Sequence, residues 1–224
     1  MNWELIGNAA FRGVEFALGP GESILTETGS MAWHQGNVTV SSNMKGGVFT
    51  SLKRAVLQGE SFFQNTWTGG EGGGHITLVS GSPGEIIPIE ITPQIPLHLE
   101  RGAYLANTGQ VTTNAKWEGF GGLFKEGLFA IRAEGQGTLF FSSYGGIDLV
   151  QVNGSYIVDN GYAVAWDSTL THHVTRTGKK IRSFLFGDQL ITRFDGVGRL
   201  WIQNRNPQSL ASFLHPFRRV QSNN

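Results

Sequence analysis

The residues that could do chemistry are few and scattered along the 224-residue chain. Six histidines stand at His34, His75, His98, His172, His173 and His215. None lies in the His-x-His pattern with a following glutamate that marks metal-binding cupin barrels. His172 and His173 are adjacent, so on a strand they face opposite sides and cannot jointly hold an ion. With no cysteine in the chain, thiolate metal sites, cysteine nucleophiles and a disulfide framework are excluded together. Serines and threonines abound, but no nucleophile-elbow pattern singles one out. Glu60, Glu126 and Asp188 could form a carboxylate cluster. They recur at one position of a repeat described below, so we read them as closing turns. The sequence therefore assigns no catalytic, cofactor-binding or metal-ligating residue, and calls for no cofactor.

Two further patterns invite a ligand. Residues 69–74 read Gly-Gly-Glu-Gly-Gly-Gly before His75. A phosphate loop would need Lys-Ser/Thr next and a helix after it, and neither is present. The run is expected to be a flexible hairpin tip. Basic groups occur at Lys53-Arg54, Lys179-Lys180-Ile181-Arg182, Arg199 with Arg205, and Arg218-Arg219, with Phe184 and Trp201 interleaved. Such a mixture could track a nucleic-acid backbone and stack its bases. The plainer reading is solvated strand ends and a charged tail.

The elements that must position these residues are strands. Short apolar runs such as Val14-Glu15-Phe16-Ala17-Leu18, Ile76-Thr77-Leu78-Val79, Thr138-Leu139-Phe140-Phe141 and Leu200-Trp201-Ile202 are separated by turn signals. Those turns include Gly19-Pro20-Gly21, Ser82-Pro83-Gly84, Tyr144-Gly145-Gly146 and Asp159-Asn160-Gly161. Glycine supplies 32 residues, roughly twice its usual share, which depresses helix and serves tight turns. A helix is expected only near the C-terminus, where Leu210, Phe213, Leu214 and Phe217 fall at i, i+3, i+4 and i+7. Asn206 suits its N-cap and Pro207 its first turn, and His215-Pro216 should end it.

A plan recurs three times. The acidic starts Glu60, Glu126 and Asp188 are 66 and 62 residues apart. Each leads into an apolar strand pair, and each follows a glycine-led strand at residues 21–26, 102–107 and 161–166. The expected fold is all-β, a single domain of three pseudo-repeats (1–91, 92–152 and 153–206) with a helix and tail at 207–224. Its antiparallel strands form a sandwich or prism, like a double-stranded β-helix. Several strands are apolar on both faces, as where Leu139 and Phe141 oppose Phe140. With one helix for cover, the second faces must meet another sheet or another subunit.

Charge adds a further constraint. Charged residues make up 15% of the chain and the net charge is zero, which argues against a dedicated nucleic-acid binder. The balance is uneven: residues 176–224 hold nine Lys/Arg and two acids, +7, and residues 1–175 hold eight and fifteen, −7. No signal-peptide pattern opens the sequence and no run suits a membrane-spanning helix, so a cytoplasmic location is expected.

Particular residues resemble a known family. They are Gly21-Glu22-Ser23-Ile24, Thr28-Gly29-Ser30-Met31, Lys53-Arg54 before Gly59-Glu60-Ser61-Phe62-Phe63, and Pro83-Gly84-Glu85-Ile86. Leu105-Ala106-Asn107-Thr108, Gly135-Gln136-Gly137 and Val197-Gly198-Arg199-Leu200-Trp201-Ile202-Gln203 continue the series. Together they resemble the altered-inheritance-of-mitochondria protein 24 family, whose function is largely unknown. The resemblance implies a fold like the trp RNA-binding attenuation protein triplicated in one chain, and offers no catalytic motif to map. From residues and resemblance together we expect a non-enzymatic β-scaffold that forms a homo-oligomer, trimer ahead of dimer. Its further partner would be a protein or membrane surface. A single-stranded RNA binder is the second reading, and a cupin-like enzyme or small-ligand carrier the third.

Overall fold

The computed structural model describes residues 1–42, 64–118, 128–159, 161–176 and 190–218. Within them the alternating segments form fifteen strands. The first eight are β1 (Asn2–Ile6), β2 (Gly13–Leu18), β3 (Ser23–Glu27), β4 (Met31–Ser42), β5 (Gln64–Val79), β6 (Ile86–Ile91), β7 (Leu97–Glu100) and β8 (Tyr104–Asn107). Then come β9 (Thr112–Glu118), β10 (Leu128–Glu134), β11 (Gly137–Ser142), β12 (Ile147–Asp159), β13 (Ala163–Asp167), β14 (Thr171–Arg176) and β15 (Leu190–Gln203). All pairings between them are antiparallel. They make two sheets, one nearly barrel-like. The first runs β1-β2-β5-β3-β8-β11-β6 with β4 also on β5, and the second β12-β15-β13-β7-β10-β9 with β14 also on β15.

The two-faced strands find their cover inside the chain. Leu139 and Phe141 of β11 join a cluster fed by both sheets, with Leu97, Leu99, Ile131, Val164 and Trp201. Phe140, on the opposite face, joins Phe16, Ile24, Trp67, Ile76 and Leu78 of the first sheet. A third cluster fills the second sheet around Trp166, Phe194 and Leu200. The apolar faces of β11 thus create no demand for a second subunit, because each is buried by neighbouring strands. Burial at roughly 25 cal/mol per Å² of apolar surface is the main force holding these layers together.

One expectation is corrected. The glycine run at 69–74 is not a hairpin tip but lies within β5. Residues 64–68 of that strand pair with β3, and residues 74–79 pair with β2. The glycines form the corner where β5 changes partners. Gly73 sits at φ 69°, and a Cβ there would approach the Leu18 carbonyl oxygen to 2.5 Å. Only glycine tolerates both the positive φ and the close backbone.

The helix forms as expected. We label it α1 (Pro207–Leu214); Asn206 caps it, its Oδ1 accepting from the Gln208 N–H at 2.8 Å. A 3-10 turn follows at His215–Phe217. No residue of α1 is buried, so it covers neither sheet.

Candidate functional site

The polar residues that the fold gathers most tightly lie where β3, β5, β8 and β9 meet. Glu27, the last residue of β3, stands opposite Gln64 at the start of β5. The Gln64 side-chain amide donates to the Tyr104 hydroxyl at 2.8 Å and to Thr113 Oγ1 at 3.0 Å. The Tyr104 hydroxyl donates in turn to Asn107 Oδ1 at 2.6 Å, and Asn107 Nδ2 donates to the Val111 carbonyl at 2.9 Å. Tyr104 and Asn107 are buried. Each link satisfies a group that would otherwise be costly to desolvate.

Carboxyl groups flank this chain. Burial pushes Glu27 up from 4.5 to about 7, against the pull of the Arg101 guanidinium and helped by the Glu100 charge. Burial likewise raises Glu100, although the Gly102 N–H donates to it at 2.7 Å and Arg101 stands beside it. Burial also raises the Tyr104 hydroxyl, and Glu27 adds to the effect. The chemistry available here is proton uptake and release near neutrality.

Glu100 also borders a shallow cleft of about 90 Å³ lined by Ser142, Ser143, Tyr144, Gln203 and Pro207 among others. That is room for about three waters. Two of its serine hydroxyls are engaged by the fold. Ser142 Oγ lies 3.0 Å from Ser80 Oγ, and Ser143 Oγ donates to the Gly145 carbonyl at 2.8 Å. Gln203 accepts from the Tyr144 N–H and donates to the Gly161 carbonyl, both at 2.7 Å. A serine nucleophile needs a base to receive its proton, and no histidine lines the cleft among the described residues.

The histidines are dispersed. His172 pairs across strands with Phe194 and His173 with Arg193, which puts them on opposite faces as their adjacency requires. His98 stacks on Trp166 at 5.8 Å between ring centroids, and His172 meets the same ring edge-on at 5.0 Å. His75 Nδ1 lies 3.4 Å from Glu15 Oε1. His34 lies 6.0 Å from Trp67, ring to ring, and His215 follows α1. Among the described residues no three His, Cys, Asp or Glu converge as for a metal.

Of the described basic residues in these groups, Arg205 and Arg218 are exposed, as the plainer reading expects, and Arg199 is paired. Arg199 is not part of an open phosphate-binding face. Its Nη2 and Nε grip the Asp167 carboxylate at 2.8 to 3.2 Å, and its backbone N–H donates to the same group at 2.8 Å. Trp201, offered above as a base-stacking ring, is only 6% exposed and lies in the core beneath Arg199. Lys53, Arg54, Glu60, Glu126, Lys179, Lys180, Arg182, Phe184, Asp188 and Arg219 lie outside the described residues. Sequence reasoning missed both the Glu27–Tyr104 network and the Asp167–Arg199 pair. The available signal was positional: β3, β8 and β13 end on Glu27, Asn107 and Asp167.

Comparisons with known proteins agree with this architecture. The family described as mitochondrial biogenesis AIM24 matches residues 3–205. An uncharacterized protein of Streptococcus pyogenes serotype M6 is 30% identical over 220 residues, covering 94% of this chain and 88% of its own. The X-ray crystal structure of a protein from Streptococcus pyogenes superposes with a TM-score of 0.82 at 29% identity, covering 97% of this chain and 99% of that one. No helix among the described residues is long and apolar enough to cross a membrane.

Proposed function

We infer that this chain, which belongs to the mitochondrial biogenesis AIM24 family, works as a non-enzymatic, homo-oligomeric β-scaffold that binds a partner. One observation carries the reading. The polar groups best placed for chemistry are engaged by the fold, while large apolar side chains stay on the surface. Ser143, Gln203, Asn107 and Asp167 hold backbone or neighbouring side chains in place. Trp33, Leu149, Ile157, Val197, Phe213 and Phe217 are exposed in the single chain. Scattered apolar residues are ordinary on a surface, but Phe213 and Phe217 lie side by side at 5.7 Å, and contiguous exposed apolar groups mark interaction sites.

The scaffold reading includes three repeats. Its support is a succession met three times: a short strand (β3, β8, β13), a tight turn, a second strand (β4, β9, β14) and a return (β5, β10–β11, β15). A cytoplasmic location fits the absence of cysteine, since disulfide-free chains suit reducing compartments.

Sedimentation velocity on the purified chain tests the proposal. A discrete species of two or three chains at micromolar concentration is expected. A particle of the 24.4 kDa chain mass throughout that range would overturn it.

A further inference from the structure

The last described segment carries an apolar stripe that is largely exposed. Leu210 is 42% exposed, Phe213 66%, Leu214 50% and Phe217 74%. Their spacing puts all four on one face of α1 and the 3-10 turn that extends it. Phe213 and Phe217 meet each other, ring centroids 5.7 Å apart. The start of the helix is nevertheless tied to the body, because Asn206, which caps it, is buried. Residues 207–224 carry two arginines and no acid.

A complementary face lies on the far strands of the first sheet. Across β4, β5, β2 and β1, Trp33 pairs with Thr77, Thr77 with Glu15, and Glu15 with Glu4. Cross-strand partners point to the same side of a sheet, so an exposed indole and two carboxylates share one row. Trp33 is 54% exposed, and Glu4 is exposed with it. This row belongs to the part of the chain, residues 1–175, that carries a net charge of −7.

We propose that α1 is an inter-subunit arm whose Leu210-Phe213-Leu214-Phe217 stripe seats on the Trp33–Glu15–Glu4 face of a second copy of this chain. Arg218 then meets carboxylates at the rim, and the phenyl rings meet the indole. Two arms packed on each other would instead bring like-charged tails together. A head-to-tail contact gives a ring when its rotation closes and a filament when it does not; the proposal commits to a closed ring of three chains. Two phenylalanines and two leucines at these exposures offer about 400 Å² per arm, taking 150–250 Å² for a buried ring. The receiving face covers a similar area, so one arm–face contact removes about 800 Å² in total, a small interface, and each chain is held in the ring by two such contacts. The inference rests on the oligomer reading above and adds to it the element that makes the contact.

Because the chain has no cysteine, engineered pairs report contacts cleanly. The experiment combines sedimentation of full-length variants with disulfide trapping of a Glu4→Cys/Phe217→Cys chain. Wild type is expected at three chain masses, with Phe213→Ser/Phe217→Ser and Trp33→Ser each falling to one. Their circular dichroism should not change, since these side chains leave the three core clusters intact. Arg218→Glu should weaken assembly at least tenfold, with Glu4→Arg restoring it, and the cysteine pair should yield covalent trimers. A monomeric wild type sinks the oligomer reading and this inference with it. An oligomer that survives both apolar variants, or cysteines that do not link, refutes the arm and leaves the oligomer standing. Stripe-dependent binding of the monomer to anionic phosphatidylglycerol vesicles would also overturn it, making the stripe a membrane contact.

Discussion

Replacing Glu27 by glutamine keeps the shape of the side chain and removes its charge. In the folded chain burial holds this carboxyl up at about 7, from 4.5. Between those values the folded state keeps a proton that the unfolded chain has released. Stability then falls as pH rises through the window and stays low above it. The sign is opposite to that of a salt-bridged carboxylate. The shift of 2.5 units (7 − 4.5) corresponds to about 3 kcal/mol at ~1.36 kcal/mol per unit. Glu27 is only half-buried, and solvent screening reduces this to about 1–2 kcal/mol. The Glu27→Gln chain should match wild type at pH 4.5 and exceed it by that amount at pH 8. For a chain of this size the gain reads as roughly 2–8 °C in Tm. Urea unfolding across a pH series, at one protein concentration so that assembly does not intrude, measures the difference. Parallel pH profiles would refute the reasoning. So would a glutamine variant less stable at pH 8, since that would mean attraction to Arg101 outweighs burial.

Three other outcomes follow from the same structure. Asp167→Ala strips the Arg199 guanidinium of its partly buried partner and should cost about 3 kcal/mol in urea unfolding, far more than loss of an exposed pair. Tyr104→Phe leaves Asn107 Oδ1 and a Gln64 N–H without their hydroxyl and should cost about 1–3 kcal/mol, with faster amide exchange in the 107–111 turn. Single-stranded RNA should not bind below micromolar Kd at physiological salt, because Arg199 is paired and Trp201 is buried; fluorescence anisotropy across a salt series checks this.

Local pattern was enough to read the fold class. Alternation in β2, the unbroken apolar run of β11, glycine-proline turns and the i, i+3, i+4, i+7 stripe of α1 each involve fewer than a dozen neighbouring residues. What the chain could not announce is what a given face meets. Leu139, Phe140 and Phe141 are all buried, as their apolarity demands. That their covers come from β6, β7, β13 and the first sheet, rather than from another subunit, depends on strands distant in sequence. The glycine corner of β5 misled for the same reason. Six residues rich in glycine look locally like a tip, and only the switch from β3 to β2 makes them the middle of a strand. The polar network was hidden because no short motif links Glu27, Gln64 and Tyr104, which come from three separate strands.

The strand-end positions show where the chain departs from its own pattern. β3, β8 and β13 end on Glu27, Asn107 and Asp167. Asn107 closes the turn to Val111 and takes the tyrosine hydroxyl, while Asp167 is neutralised by Arg199. An amide there needs only hydrogen bonds, and an aspartate is stable there once a guanidinium grips it. Glu27 faces Gln64, a neutral amide, with Arg101 shared between it and Glu100, which burial also raises. One cation between two desolvated carboxyls cannot hold both ionised, which is why burial dominates and both rise. Residues that only stabilise a fold are expected to settle as Asn107 and Asp167 have. A glutamate raised to the edge of neutrality makes the junction of β3, β5 and β8, among the described residues, the place where pH and any cation that docks beside it act most directly.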